Sequence, residues 1–263
     1  MTTVSFAAAD SLTMLRRSLR HIRRYPSMTV PLIVAPVVFL LLFVYVFGGT
    51  LGAGLGSGPG GRAGYVSYVT PGILLLTVAG AATATAVSIA TDMTTGIVAR
   101  FRTMAIFRPA LLTGHVLGSV IQTLLSVVVV LGVAVGIGLR PTAGPAQWLA
   151  AAGLLLLLIF AITWVAVLMG LLSDSVETAS NLPMLLMILP FFGSGFVPTD
   201  SMPAWLGWLA EHQPFTPVME TLRALLLGTP IGDNGWLAIG WCVLISALGF
   251  LGARSLMNRQ PPR

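Results

Sequence analysis

Side chains that could act as nucleophiles, general bases or metal ligands are few in this chain and widely separated. His21, His115 and His212 lie in different segments, so we do not expect them to bind one metal ion together. No serine occurs in the pattern that exposes a hydrolase nucleophile on a sharp turn. The single cysteine, Cys242, lies in an apolar stretch and is interpreted as an apolar packing residue. The sequence therefore predicts no catalytic residue, no metal site and no cofactor bound by this chain.

Lysine is absent, because all 14 basic residues are arginine. The phosphate-binding loop of ATPases requires a lysine after its glycines. The glycine-rich stretch at residues 48–64 lacks that lysine and follows an apolar segment, so it is interpreted as a flexible loop outside the membrane. We therefore predict that the chain is not an enzyme and has no ATPase site of its own.

The composition is that of a membrane protein. Hydrophobic residues make up 56% of the chain and charged residues only 8%, with a mean hydropathy of +0.93. A soluble domain is typically about one-quarter charged, so most of this surface must face lipid or other helices. The net charge of +6 alone would suit nucleic acid binding, but the positions of the arginines indicate membrane orientation instead, and no nucleic acid partner is predicted.

Six stretches are long and apolar enough to cross a bilayer as helices, which requires about 20 residues each. They are residues 28–48, 68–91, 115–139, 148–172, 179–197 and 236–257. The fifth is the shortest and contains Pro183 and Pro190. The predicted fold is an all-α, polytopic membrane protein with an N-terminal segment at 1–27, a six-helix transmembrane domain at 28–257 and a tail at 258–263.

The arginines predict the orientation, since basic residues concentrate in cytoplasmic loops. Five precede the first span, three lie between the second and third spans, and three follow the sixth. Only Arg62, Arg140 and Arg223 fall on the other side. Both termini are therefore predicted to be cytoplasmic, in a bacterial inner (plasma) membrane.

Two segments outside the spans are predicted to lie at the membrane surface. Residues 10–24 place Leu12, Leu15 and Leu19 on one helical face, with most of the arginines on the other, which is typical of a helix on the inner leaflet. Between the fifth and sixth spans, Trp205 and Trp208 suit the outer interface. A short helix is predicted at 217–227 after them, and the segment between the fifth and sixth spans is expected to form interfacial or re-entrant half-helices.

The loop between the second and third spans mixes apolar and basic side chains. One interpretation is an ordinary arginine-rich cytoplasmic loop, and the other is an amphipathic helix that docks a cytoplasmic partner. On the second interpretation the candidate residues are Asp92, Gly96, Arg100, Phe101, Arg102, Met104 and Pro109.

Few polar groups lie within the spans, which argues against proton or ion coupling and favours a hydrophobic cargo. The candidates for a substrate path in the fifth span are the adaptable apolar side chains Met184, Met187, Phe191 and Phe192, which could equally be lipid-facing. Thr77 in the second span is a further candidate, although such threonines usually serve packing. Gly132 and Gly136 in the third span form a G-x-x-x-G pair, interpreted as close helix packing.

The chain resembles the permease subunits of type-2 ABC exporters, and most of all their daunorubicin/doxorubicin-resistance branch. The resemblance runs from about residue 10 to 257. It is carried by GIVARFRTM at 96–104, LLTGHVL at 111–117, FVP at 196–198, MPAWL at 202–206, PFTP at 214–217 and ETLR at 220–223. Ala99 departs from the pattern, since the family often has an acidic residue there.

The resemblance implies a permease that moves a hydrophobic drug or lipid outward. It would pair with two copies of a separate ATP-binding subunit, which carries the ATP and Mg, and with a second permease chain in a homodimer or heterodimer. Residues 92–113 would contain the coupling helix. Spans one, two and five would lie near the pathway, which adds Phe39, Phe43 and Tyr45 to the candidates. The alternatives are export of a lipid-linked polysaccharide or other envelope component, or a secondary transporter or channel.

Overall fold

The computed structural model describes the backbone of residues 26–54, 61–94 and 108–259, and the side chains of 30–54, 61–94 and 114–257. The predicted N-terminal helix at 10–24 lies outside these ranges, as do the candidates Gly96, Arg100, Phe101, Arg102 and Met104. Within the described ranges, every regular element is helical, which confirms the all-α class.

The helices follow one another along the chain in a simple order. They are α1 (Pro26–Leu42), continued by a π-helical turn (Phe43–Phe47) into α2 (Gly48–Ala53), then α3 (Gly61–Thr94), α4 (Arg108–Gly136), α5 (Pro145–Leu172), α6 (Val176–Asn181) and α7 (Met184–Ile188). After α7 come two 3₁₀ turns (Leu189–Phe192 and Thr199–Ser201), then α8 (Ala204–His212), α9 (Phe215–Leu227) and α10 (Asn234–Arg259).

Five helical stretches are long and apolar enough to cross a membrane: Val30–Ala53, Arg62–Thr94, Gly114–Gly136, Pro145–Leu172 and Asn234–Met257. They coincide with the predicted first, second, third, fourth and sixth spans, so the chain is a multi-pass membrane protein. The predicted fifth span is instead a broken, shorter apolar stretch, Val176–Phe192. Its helix is interrupted beside Pro183 and again at Pro190, because proline lacks the N–H that continues a helix.

Two helices form the centre of the fold. In the most apolar part of α3 and of α5, 72% and 67% of the residues are buried, against 17–33% in the other three long helices. Residues of α3 such as Ile73, Leu74 and Leu75 are fully buried. The outer helices therefore keep one face for lipid or for another chain, while α3 and α5 supply the core.

The short helix predicted at 217–227 is confirmed as α9, which begins two residues earlier. Pro217 lies in its first turn, where its missing N–H has no helical partner to lose. Gly228 ends the helix in the left-handed conformation, at φ +67°, which a residue without a Cβ adopts at little cost. The predicted apolar face is buried, since Val218, Leu222 and Leu225 are at most 3% exposed.

The glycine pair in α4 does not serve close packing within this chain. A methyl group added at Gly132 or Gly136 would meet no atom within 4 Å, and both residues are exposed. The G-x-x-x-G spacing places both glycines on one face of the helix, but that face is turned away from the rest of the described chain.

Candidate functional site

A row of polar side chains joins α3 to α4 at the ends that flank the arginine-rich segment. The imidazole Nε2 of His115 lies 2.9 Å from the Asp92 carboxylate oxygen Oδ2, and its Nδ1 lies 3.4 Å from the Ser88 hydroxyl. One turn further along, the Thr85 hydroxyl donates to the Ser119 hydroxyl at 2.9 Å. The ends of the two helices are thus linked by side chains as well as by residues 95–107.

Helical spacing produces this row. Thr85, Ser88 and Asp92 are separated by three and four residues, so they share one face of α3, and His115 and Ser119 share a face of α4 in the same way. The hydrogen-bonded pair is largely shielded from solvent, because the side chains of His115 and Asp92 are 13% and 11% exposed. A hydrogen bond to a carboxylate is stronger where water does not compete for it.

A serine, a histidine and an aspartate in a row also form the catalytic unit of many hydrolases, but this row lacks what hydrolysis requires. Ser88 lies inside α3, where the backbone N–H groups are used in helical hydrogen bonds. The N–H groups of α3 therefore offer no oxyanion-binding pair beside its hydroxyl. The arrangement is suited to holding two helices together.

The structure places two of the seven coupling candidates. Asp92 is in the last turns of α3 and contacts His115, while Pro109 lies in the first turn of α4, where proline is tolerated. The other five lie outside the described residues. His115 was not a coupling candidate: the four-residue spacing of His115 and Ser119 puts both on one helical face, but the sequence does not show that this face meets Ser88 and Asp92.

Several substrate-path candidates meet in an aromatic cluster formed by Phe39, Phe43, Phe191 and Phe196. The Phe196 ring lies with its centroid 4.8 Å from that of Phe191, nearly parallel to it, and 4.7 Å from that of Phe43. Phe39 meets Phe191 edge-on at 6.4 Å. The cluster therefore joins the first span to the broken stretch, through a residue, Phe196, that sequence reasoning did not select.

The remaining path candidates are dispersed. Thr77 is fully buried and its hydroxyl donates to the Ile73 carbonyl, so it faces the packed interior. Tyr45 lies beneath the Arg62 guanidinium at 5.0 Å. Met184 and Phe192 are exposed at the surface, and Met187 packs partly buried against the core.

Arg223 links α9 to α3 and to the turn before α8. Its guanidinium donates to Glu220 at 2.6 Å, to the Ser194 carbonyl at 2.8 Å and to the Tyr68 carbonyl at 3.2 Å. It also lies 3.9 Å from the centre of the Tyr68 ring, a cation–π contact. Sequence reasoning used Arg223 as an indicator of topology and as part of the ETLR motif, but not for these contacts, because the carbonyl partners are far from it along the chain.

The turn at residues 193–196 approaches α3 closely. A methyl group on Gly72 would lie 2.9 Å from the Gly195 carbonyl oxygen, and one on Gly195 would lie 2.9 Å from the Gly72 Cα. The Tyr65 hydroxyl donates to the Phe196 carbonyl at 3.2 Å. Two glycines thus permit a backbone contact that positions both Phe196 and the Ser194 carbonyl.

Within the described residues, no group of three or more His, Cys, Asp or Glu side chains is placed to hold a metal ion.

Comparison with known proteins identifies a family of membrane transporters, which agrees with the helical membrane fold. Residues 10–227 match the ABC-2 type transporter family. The chain is 26% identical over 245 residues to the daunorubicin resistance ABC transporter permease protein of Streptomyces coeruleorubidus, covering 92% of this chain and 82% of that protein.

A second relative is the probable doxorubicin resistance ABC transporter permease protein of Mycobacterium tuberculosis (strain CDC 1551 / Oshkosh). It is 26% identical over 174 residues, which cover 64% of this chain and 63% of that protein. The family match extends over most of the chain and includes the linked ends of α3 and α4, the broken apolar stretch and α9. The chain therefore belongs to the ABC-2 type transporter family of membrane permeases.

Proposed function

We propose that this chain is the transmembrane permease subunit of an ATP-driven exporter that moves a hydrophobic drug or lipid outward. The observation that carries the proposal is a family match over residues 10–227 in a chain that contains no lysine. Because a phosphate-binding loop needs that lysine, ATP and Mg would be bound by a separate cytoplasmic subunit. Two such subunits would act on two permease chains.

The topology that fits this role has six spans and both termini in the cytoplasm. The broken stretch Val176–Phe192, extended through the turn at 193–197, would complete the fifth crossing. The segment at 1–27 would lie on the inner leaflet, 28–257 would form the transmembrane domain, and 258–263 would be a cytoplasmic tail. The distribution of arginines supports this orientation.

The coupling surface would lie at residues 92–113, with Phe101 and Met104 entering the ATP-binding subunit and Arg100 and Arg102 at the rim. The Asp92–His115 pair supports this assignment, because it ties together the two helices that carry the segment. Motion imposed on the segment would then reach α3 and α4 together rather than bending either helix alone.

The cargo path would include the aromatic cluster, with Phe39, Phe43 and Phe191 from the predicted set. Aromatic rings at a helix junction offer apolar contact area to varied hydrophobic molecules. Two relatives are named for resistance to daunorubicin and doxorubicin, which supports a hydrophobic drug as the cargo class.

The test is reconstitution with an ABC-type ATP-binding subunit from the same organism. We expect the two proteins to copurify, and ATP to drive daunorubicin into inside-out vesicles. A partner whose phosphate-binding lysine is replaced serves as the control and should give no uptake. Proton-driven efflux by the purified chain alone would refute the ABC assignment. ATP-driven movement of a lipid-linked polysaccharide but not of daunorubicin would retain the assignment and replace the cargo.

A further inference from the structure

The start of α9 is buried and has no side-chain cap. The residue before the helix is Pro214, which makes no capping hydrogen bond, and Phe215 and Thr216 in its first turn are 3% and 8% exposed. The first N–H groups of a helix have no partner within it, and the helix dipole places partial positive charge at that end. This end of α9 is therefore suited to an oxygen atom that accepts hydrogen bonds.

Three polar side chains in this region are buried without a hydrogen-bond partner among the described residues. The atoms are the Ser194 hydroxyl, the Gln213 side-chain nitrogen and the Thr216 hydroxyl, and their residues are 3%, 8% and 8% exposed. By comparison, the buried hydroxyls of Thr163 and Thr221 each donate to a backbone carbonyl at 2.7 Å. Gln213 and Thr216 flank the start of α9, and Ser194 follows Gly193, which lies against both. Buried unpaired polar atoms are costly, and a bound molecule that accepts hydrogen bonds would remove that cost.

The geometry at Gly193 brings two of these atoms together. A methyl group on Gly193 would lie 2.8 Å from the Gln213 nitrogen and 3.0 Å from the Thr216 hydroxyl oxygen. Both atoms are thus near one point, close enough for a single oxygen to accept from both. Ser194 is the next residue along the chain, and its carbonyl is held in place by Arg223.

An apolar surface adjoins this polar group. Phe196, two residues after Ser194, stacks on Phe191 and contacts Phe43. The Arg223 cation is already paired with Glu220, so the site presents neutral donors and a helix start rather than a free charge. Donors beside aromatic rings match a molecule with an apolar body and an oxygen acceptor at one end.

We infer that Ser194, Gln213, Thr216 and the start of α9 form a binding site for the acceptor oxygen of an amphipathic molecule, with the apolar body on the aromatic cluster. The acceptor is a ketone, ester or phosphoryl oxygen, which an exported drug and a membrane phospholipid can both supply. The inference rests on the proposed export function in taking that molecule as cargo. Binding can nevertheless be measured without transport or an ATP-binding subunit.

The experiment uses the purified full-length chain in detergent and measures equilibrium binding of daunorubicin in one arm and of dioleoylphosphatidylglycerol in the other. Thr216→Val and Gln213→Met each remove one donor at nearly constant volume. Gly193→Ala keeps every donor but places a methyl group between them, at a backbone conformation (φ −97°, ψ −179°) that alanine can adopt. Thr221→Val is the matched control, because it removes a hydroxyl of the same helix that is already bonded to Pro217.

We expect Thr216→Val and Gln213→Met each to weaken binding of the true ligand roughly five- to tenfold, as loss of one hydrogen bond does. Gly193→Ala should weaken it at least as much, and Thr221→Val should leave it unchanged. The thermal midpoint of the ligand-free protein should not fall in Thr216→Val, since that hydroxyl has no partner to lose.

The probe whose binding is weakened by the site variants identifies the source of the acceptor oxygen: daunorubicin indicates a drug, and dioleoylphosphatidylglycerol indicates a lipid. Wild-type protein that binds neither probe would overturn the site. Site variants that bind like the wild type would overturn it too, whether or not their midpoints fall, and a fall would point to structural water bound there instead. If Gly193→Ala or one of the two donor variants does not fold, the remaining donor variant, Thr216→Val or Gln213→Met, decides. A failure of ATP-driven uptake with intact, variant-sensitive binding would count against the proposed function and not against the site.

Discussion

The Asp92–His115 pair provides the sharpest test of whether the linked ends of α3 and α4 transmit motion. The distance between His115 Nε2 and Asp92 Oδ2 is 2.9 Å, and both side chains are nearly nine-tenths shielded. A hydrogen bond to a charged group in such a setting contributes about 2 kcal/mol. Because 1.4 kcal/mol corresponds to a factor of ten, loss of the pair should shift the balance between linked and separated helix ends by about 30-fold.

The perturbations are His115→Leu, Asp92→Leu and the double variant. Asp92 has further interactions of its own, so each single variant alone would overstate what the pair contributes. A double-mutant cycle isolates the pairwise part, which we expect to be about 2 kcal/mol in equilibrium denaturation in mixed micelles. Thr163→Val, a buried hydroxyl change in α5 away from this row, is the control for general loss of packing.

The functional assay is cargo-stimulated ATPase activity of the reconstituted complex. If the pair links α3 to α4 for coupling, both single variants should lose most of the cargo stimulation, and His115→Leu, which lies outside the proposed surface at 92–113, should still bind the ATP-binding subunit normally. A coupling energy near zero would refute the energetic reasoning. Normal stimulation in variants that are measurably destabilised would leave the pair as a packing feature and refute its role in coupling.

Three other expectations concern the turn at residues 193–196 and its supports. Arg223→Met should lower the free energy of unfolding by about 3 kcal/mol, because the Glu220 carboxylate and two carbonyls lose a shared donor. Arg223→Lys should restore only part of that stability, since lysine cannot donate in the same fork geometry. An unchanged thermal midpoint in either variant would contradict this expectation. Gly195→Ala should lower the free energy of unfolding by about 1–3 kcal/mol, since its methyl would lie 2.9 Å from the Gly72 Cα. Gly80→Ala is the control and should cause no loss of stability, because the space around Gly80 is open. Equal thermal midpoints in the two variants would be evidence against the close approach of residues 72 and 195. Phe43→Ala and Phe196→Ala should show a coupling energy of about 1 kcal/mol in a double-mutant cycle, as expected for rings in contact, and strictly additive losses would exclude that contact.

Sequence reasoning succeeded where local properties decide the outcome. Hydrophobic length alone located α1, α3, α4, α5 and α10, because the requirement to satisfy the backbone within lipid leaves a helix as the only option for such stretches. The end of α9 at Leu227 was predicted to the residue, because glycine readily adopts the left-handed conformation that ends a helix, as Gly228 does here. The fifth span was predicted as one helix kinked at Pro183 and Pro190, whereas the helix is interrupted at these prolines and divided into short pieces.

What the sequence by itself determined is a lipid-embedded helical chain without a lysine, with a family pattern that extends over most of its length. Only the tertiary structure decided that His115 reaches Asp92, that Phe196 joins Phe43 to Phe191, and that Arg223 bonds to the carbonyls of Tyr68 and Ser194. The physical reason is the distance along the chain between the partners. Apolarity and helix termination act over one or two turns, whereas these contacts depend on how α3, α4 and α9 pack against one another.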